Sequence, residues 1–182
     1  MKKNKWSVKT LVFMSLLAAL NLILTRIISL DLGPFRVTVG PVCTIMAGLW
    51  LGPMAGAACG FCADIIGALL KGYAINPFIT MAAMVWGIIP ALMKNLYGSK
   101  PKSAKIAILA VSIAFSSITA TLLLNTVGLV LINGYSLMAI LPGRILQVIC
   151  YIPMYTILVS ILYYSPLTHM VLEPTMMRHK NI

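Results

Sequence analysis

Five side chains able to carry charge or form hydrogen bonds, Arg26, Asp64, Asn125, Arg144 and Gln147, fall inside long apolar runs of this 182-residue chain. A charged residue within a membrane costs roughly 2.5–3.5 kcal/mol on insertion scales, so each one needs a partner, a ligand or a water-filled pocket. Arg26 and Arg144 present planar donor forks, Asn125 and Gln147 offer paired donor and acceptor atoms, and Trp86, Tyr151 and Phe78 supply rings for stacking. This combination suits a planar, polar, anionic molecule, such as a heteroaromatic ring bearing carboxylates. Arg36 and Lys71, in two loops between apolar runs, are placed to meet the anionic end. Lys71 also reads as an interfacial lysine that snorkels, and Arg26, near a helix end, has the same alternative. Asp64 either lines the cavity or anchors a buried hydrogen-bond network.

Other chemistries lack their parts. No nucleophile has a neighbouring base, so an enzyme is not expected. No GxxxxGK motif is present to cradle a nucleotide. Cys59-x-x-Cys62 has no second Cys/His pair at ligand spacing, and with Cys43 and Cys150 it reads as buried structural cysteine; no metal or other cofactor is expected. His169 and His179 read as solvated tail residues. The polar residues do not mark a continuous path, which argues against an ion channel.

The elements that must position these groups follow from composition. The chain is 60% hydrophobic and 9% charged, against roughly a quarter charged in soluble domains. It reads as an all-α integral membrane protein with six transmembrane helices, spanning about 8–30, 37–51, 54–70, 78–93, 106–132 and 137–164, and with no room for a separate soluble domain. The net charge of +11 does not form one basic face, so nucleic acid is not an expected partner. Lys2, Lys3, Lys5 and Lys9 precede the first run, Lys94, Lys100, Lys102 and Lys105 flank the loop after the fourth, and Arg178, His179 and Lys180 end the sequence. The positive-inside rule makes all three clusters cytoplasmic, which fits an even number of spans in a prokaryotic cell membrane. A signal peptide is the rival reading of the first run; its length and the lack of a small-residue cleavage site argue against it. With both termini inside, the five polar residues fall in the outer half of the bilayer, as a cavity open to the outside requires.

Several local features carry more detail. From Pro41 to Leu51 the second run covers only about 17 Å, too short to cross a core of about 30 Å. Either it begins earlier or the preceding loop dips into the membrane, buried in protein. Gly52, Gly56, Gly60 and Asp64 repeat every four residues and share a helical face, which tight packing explains for the glycines. Trp86 lies near mid-depth and Pro90 is expected to kink its helix. In the last run Arg144, Gln147, Tyr151 and Tyr155 fall within about 60° on a helical wheel, a polar stripe.

The chain resembles the substrate-binding S components of the energy-coupling factor (ECF) vitamin transporters, most closely the folate-specific type. The residues that carry the resemblance are Leu-Asn-Leu-Ile-Leu-Thr-Arg26-Ile-Ile-Ser, Gly56-Ala-Ala-Cys-Gly-Phe-Cys-Ala-Asp64-Ile-Ile-Gly67 and the Asn76-Pro-Phe-Ile-Thr helix start. The resemblance implies a six-helix binder of folate or a related pterin, with no ATPase of its own. It implies a membrane coupling subunit and two cytoplasmic ATPases as partners, and the toppling of the binding subunit in the bilayer during transport. In such proteins the loops after the first and third spans, here around Phe35 and Tyr73, cover the vitamin. The nearest match to the family's Ala-x-x-x-Ala contact with the coupling subunit is Ser15-Leu-Leu-Ala-Ala19, with serine in place of the first alanine; ordinary helix packing within the protein is the other reading of these two residues. Riboflavin or thiamine as ligand, a membrane scaffold and an intramembrane enzyme are the alternatives.

Overall fold

The computed structural model describes residues 8–32, 35–168 and 171, and within them residues 30–32 and 35–36 by backbone alone. Lys2, Lys3, Lys5, His169, Arg178, His179 and Lys180 lie outside the described residues, and Arg36 is placed only by its backbone. Six helices alternate in direction: α1 Val8–Arg26, α2 Pro41–Leu51, α3 Pro53–Leu70, α4 Pro77–Met93, α5 Lys102–Leu131 and α6 Leu137–Tyr163. Five are long and apolar enough to cross a membrane; α2 is the short one. Large apolar side chains such as Leu16, Met54 and Leu146 lie more than half exposed around the bundle, as a lipid-facing surface requires. This is an all-α, membrane-type helical bundle.

Proline starts α2, α3 and α4, where its missing N–H costs nothing and its fixed φ suits the first turn. Between α2 and α3 the chain reverses at Gly52, whose φ of 99° lies in the left-handed region. Nothing surrounds that glycine, so it serves the turn, whereas packing was expected of the whole Gly52/Gly56/Gly60 stripe. Gly56 and Gly60 do pack. A Cβ at Gly56 would stand 2.8 Å from the Gly48 Cα and 2.9 Å from the Gly87 Cα, so α2, α3 and α4 meet backbone to backbone.

The short second helix is explained by the segment before it. The chain leaves α1 at Arg26 and forms a small antiparallel hairpin, β1 Leu30–Leu32 with β2 Phe35–Val37, in which Asp31 pairs with Arg36. The following residues are then pinned among the helices. Tyr155 of α6, fully buried, donates its hydroxyl to the Thr38 carbonyl at 2.7 Å. The Thr38 hydroxyl donates to the Leu24 carbonyl at 3.1 Å and accepts from the Gly40 N–H at 3.1 Å. The segment before the short helix is held against α1 and α6: Tyr155 of α6 satisfies the Thr38 carbonyl, and the Thr38 hydroxyl bonds the α1 backbone and the Gly40 N–H. The loop after α1 therefore contains paired strands, and its base is anchored at Thr38.

Helix α5 contains a π-helical stretch, Ile118–Asn125, bounded by α-helix on both sides. Such i→i+5 turns rotate everything beyond them relative to an unbroken α-helix. At the other end of the bundle the Lys94 ammonium donates to the Leu49 carbonyl at 2.6 Å, satisfying the carboxyl end of α2.

Candidate solute-binding cleft

A cleft of about 130 Å³ opens where α1 to α5 converge. Asn21, Thr25 and Arg26 of α1 form one wall, Thr44 of α2 and Asp64 of α3 the next, and Trp86 of α4 and Asn125 of α5 the far side. Helical spacing explains the first wall. Residues four apart lie one above the other, so the Thr25 hydroxyl donates to Asn21 Oδ1 at 2.8 Å, and Asn21 Nδ2 in turn donates to the Thr44 hydroxyl at 2.6 Å.

Arg26 and Asp64 form the charged centre. Arg26 Nη2 lies 3.6 Å from Asp64 Oδ1, with side chains 11% and 14% exposed, so this arginine points inward rather than snorkelling to the surface. The same nitrogen approaches the Asp64 carbonyl at 3.5 Å. Thr80 of α4 donates its hydroxyl to the other carboxylate oxygen at 2.7 Å. Asp64 thus lines the cleft and also ties α1, α3 and α4 together; the two roles proposed for it coexist. Gly67 gives the guanidinium its place, since a Cβ there would stand 2.8 Å from Arg26 Nη2.

Asn125 closes the π-helical stretch, and its Oδ1 is buried with no hydrogen-bond partner among the described residues. A buried acceptor without a donor costs about 1–3 kcal/mol, which sets this atom apart from the paired polar groups around it. Trp86, 5% exposed, stands edge-on to Tyr151 and Tyr155 at ring-centroid distances of 6.4 and 5.1 Å, and those two tyrosines stack at 4.8 Å.

The remaining residues expected at the site lie elsewhere. Arg144 Nη1 donates to Gln147 Oε1 at 2.9 Å and Gln147 Nε2 to the Tyr151 hydroxyl at 3.1 Å, a buried chain along α6 that does not line the cleft but meets Trp86 through Tyr151. Phe78 lies half-buried in the first turn of α4, outside the cleft lining. Lys71 is exposed just past the end of α3. Ser15 and Ala19 are exposed on α1, among Leu11, Leu16 and Leu20. Among the described residues no group of three or more His, Cys, Asp or Glu could hold a metal ion, and Cys150, expected to be buried, is exposed.

Asn21, Thr25, Thr44 and Thr80 are site residues that sequence reasoning missed. The Asn21/Thr25 pair was legible in principle, four residues apart on one helical face and next to Arg26 in sequence; Thr44 and Thr80 became neighbours of the site only through helix packing. Asn76 was quoted only as a helix start. It caps α4 by accepting the Phe78 N–H at 3.1 Å and reaches the Gly128 carbonyl at 2.9 Å and Asn133 Oδ1 at 3.2 Å, joining the ends of α4 and α5.

Comparison with known proteins agrees with this architecture. The family model described as "ECF transporter, substrate-specific component" matches residues 9–163. A relative from Clostridium novyi (strain NT), "Folate transporter FolT", is 25% identical over 154 residues, which cover 84% of this chain and 86% of that protein. The solved structure "Crystal structure of FolT bound with folic acid" superposes with a TM-score of 0.74 at 19% identity, covering 86% of this chain and 93% of that one. The fold of the bundle is thus shared with that solved structure, and, by the match over residues 9–163, the chain belongs to the substrate-specific components of ECF transporters.

Proposed function

We propose that this protein is the high-affinity folate-binding subunit of an ATP-driven ECF uptake transporter. The observation that carries the proposal is the convergence, in one cleft, of the Arg26–Asp64 pair, the unsatisfied Asn125 Oδ1 and the Trp86 ring. A pterin carries ring N–H donors and a flat face. Asp64 and Asn125 supply acceptors for the first and Trp86 a wall for the second. Folate also carries carboxylates, which Arg26 receives, with Arg36 and Lys71 from the outer loops. The name of the Clostridium relative supports this choice of ligand.

A cleft of about 130 Å³ is well below the roughly 300–1,000 Å³ of sites for drug-sized ligands, so binding has to widen it. The Arg26–Asp64 contact is the natural point of opening: at 3.6 Å it is a loose pair, and a ligand anion offers Arg26 a replacement partner. The Arg144–Gln147–Tyr151 chain stands behind Trp86 and completes the ring site once the cleft widens. Substrate enters from outside, with both termini cytoplasmic. The subunit then hands it to a membrane coupling subunit bearing two ATPases, which docks on the α1 face that exposes Ser15 and Ala19.

Parallel titration of the purified protein with folate, thiamine and riboflavin tests the reading. Folate alone should bind tightly, and at 100 times its dissociation constant it should add about 2.7 kcal/mol to stability. Tight binding of another vitamin would reassign the ligand, and no stabilisation by any of them would favour a scaffold. Undiminished folate affinity after combined Arg26→Ala and Asn125→Ala would refute the site.

A further inference from the structure

The bundle end opposite the cleft carries a feature that solute binding does not use. Lys94, Lys100, Lys102 and Lys105 gather around the turn from α4 to α5, and the antiparallel order of the helices brings Lys9, in the first turn of α1, to the same end. Lys94 is engaged with the Leu49 carbonyl. Lys9, Lys100 and Lys102 are exposed and Lys105 is half-buried. The sequence contains three acidic residues, Asp31, Asp64 and Glu173; the two within the described residues lie in the hairpin and the cleft, toward the far end. Among the described residues, therefore, no carboxylate neutralises this end.

The lysines also sit at a particular depth. Leu92, Leu96 and Leu167 are half or more exposed beside them, so the apolar exterior of the bundle runs right up to the charged layer. Tyr163 and Tyr164 mark the same level, with the Lys102 ammonium 4.7 Å from the centroid of the Tyr164 ring and the Lys94 ammonium 5.9 Å from that of Tyr163. Trp50 is fixed there by donating its indole N–H to the Thr168 hydroxyl at 3.0 Å. Tyrosine and tryptophan at the rim of an apolar band occupy the headgroup layer of a bilayer. Cations that no described carboxylate neutralises, at that layer, would face the phosphates of lipids whose chains cover the adjacent leucines.

We propose that this end is a binding surface for anionic phospholipid headgroups, centred on Lys100, Lys102 and Lys105. Charge complementarity favours the phosphodiester, and the adjoining apolar surface selects a lipid over a free anion. Each lysine near an anionic surface contributes about fivefold in affinity, so three together give about a hundredfold at low ionic strength, decaying within a Debye length.

The test places the full-length protein in phosphatidylcholine nanodiscs doped with spin-labelled phosphatidylglycerol or spin-labelled phosphatidylcholine, and compares the motionally restricted fractions. Phosphatidylglycerol should be selected several-fold or more. The selection should fall in high salt, disappear in Lys100→Gln/Lys102→Gln/Lys105→Gln, and resist millimolar glycerol phosphate. The triple variant should keep the parent's ligand affinity and unfolding midpoint, which separates this surface from the cleft and from misfolding. Equal association of the two lipids overturns the proposal, as does selection that survives in the triple variant. Displacement by glycerol phosphate would assign the surface to free anions. Equal association together with loss of coupling-subunit binding in the variant would assign it to a protein partner.

Discussion

Replacing Asp64 by asparagine keeps the shape of the side chain and removes its charge, leaving the Arg26 guanidinium opposite a neutral amide. At 3.6 Å, the separation in the pair, two unit charges attract by about 4–5 kcal/mol with an effective dielectric constant near 20. Not all of this is lost. The amide oxygen still accepts from Thr80, which donates at 2.7 Å to the carboxylate, and side chains 11% and 14% exposed admit some water. Removing one member of a buried pair costs about 3–5 kcal/mol when the other charge is wholly stranded. The expected loss for Asp64→Asn is therefore about 2–3 kcal/mol of unfolding free energy. Denaturant titration of the purified protein in mild detergent, without ligand, measures it. The decisive comparison is a double-mutant cycle with Arg26→Gln, in which the double variant should be about 2 kcal/mol more stable than the sum of the single losses predicts. Additivity to within 0.5 kcal/mol, or an Asp64→Asn variant as stable as the parent, would mean that the two groups interact chiefly with water and that the charged centre of the cleft has been misread.

Asn125→Leu removes a buried acceptor that no described residue uses, so it should leave the ligand-free protein at least as stable as the parent while weakening folate binding roughly 10- to 100-fold; denaturant unfolding checks the first and calorimetric titration the second. Gly87→Ala would set a Cβ 2.7 Å from the Gly56 Cα, a backbone contact with no flexible side chain to yield, and should cost about 3 kcal/mol in detergent unfolding or abolish folded yield. Tyr155→Phe strands the Thr38 carbonyl and should cost about 1–2 kcal/mol; limited proteolysis should then cleave between residues 30 and 40 sooner than in the parent.

Much of the architecture is legible in the sequence because it depends on periodicity and polarity alone. Prolines and glycines mark the helix starts and turns, and the apolar runs give helix number and approximate length. The inward face of α6 is likewise readable: Arg144, Gln147, Tyr151 and Tyr155 repeat at helical spacing and are all buried. The phase of α5 is not readable in this way, since the π-helical stretch shifts it around Asn125, and whether a backbone takes i→i+5 bonds depends on neighbours that pattern cannot reveal. The hairpin after α1 escapes for a similar reason: the segment that follows it is secured by Tyr155, distant in sequence.

The sequence by itself determined that this is a membrane-embedded helical bundle, that a few costly polar groups lie within it and, through its motifs, to which transporter family it belongs. The first two are consequences of side-chain transfer energies and of the regular helix repeat, both local. Only the tertiary structure decided which of the polar groups meet. It joined Arg26 to Asp64, left Asn125 Oδ1 buried and unpaired at the cleft wall, set Arg144 and Gln147 behind Trp86, and drew in Asn21, Thr25, Thr44 and Thr80. The physical reason is that partnership depends on how closely helices approach, and here the approach is controlled by glycine contacts between α2, α3 and α4 that no single helix encodes.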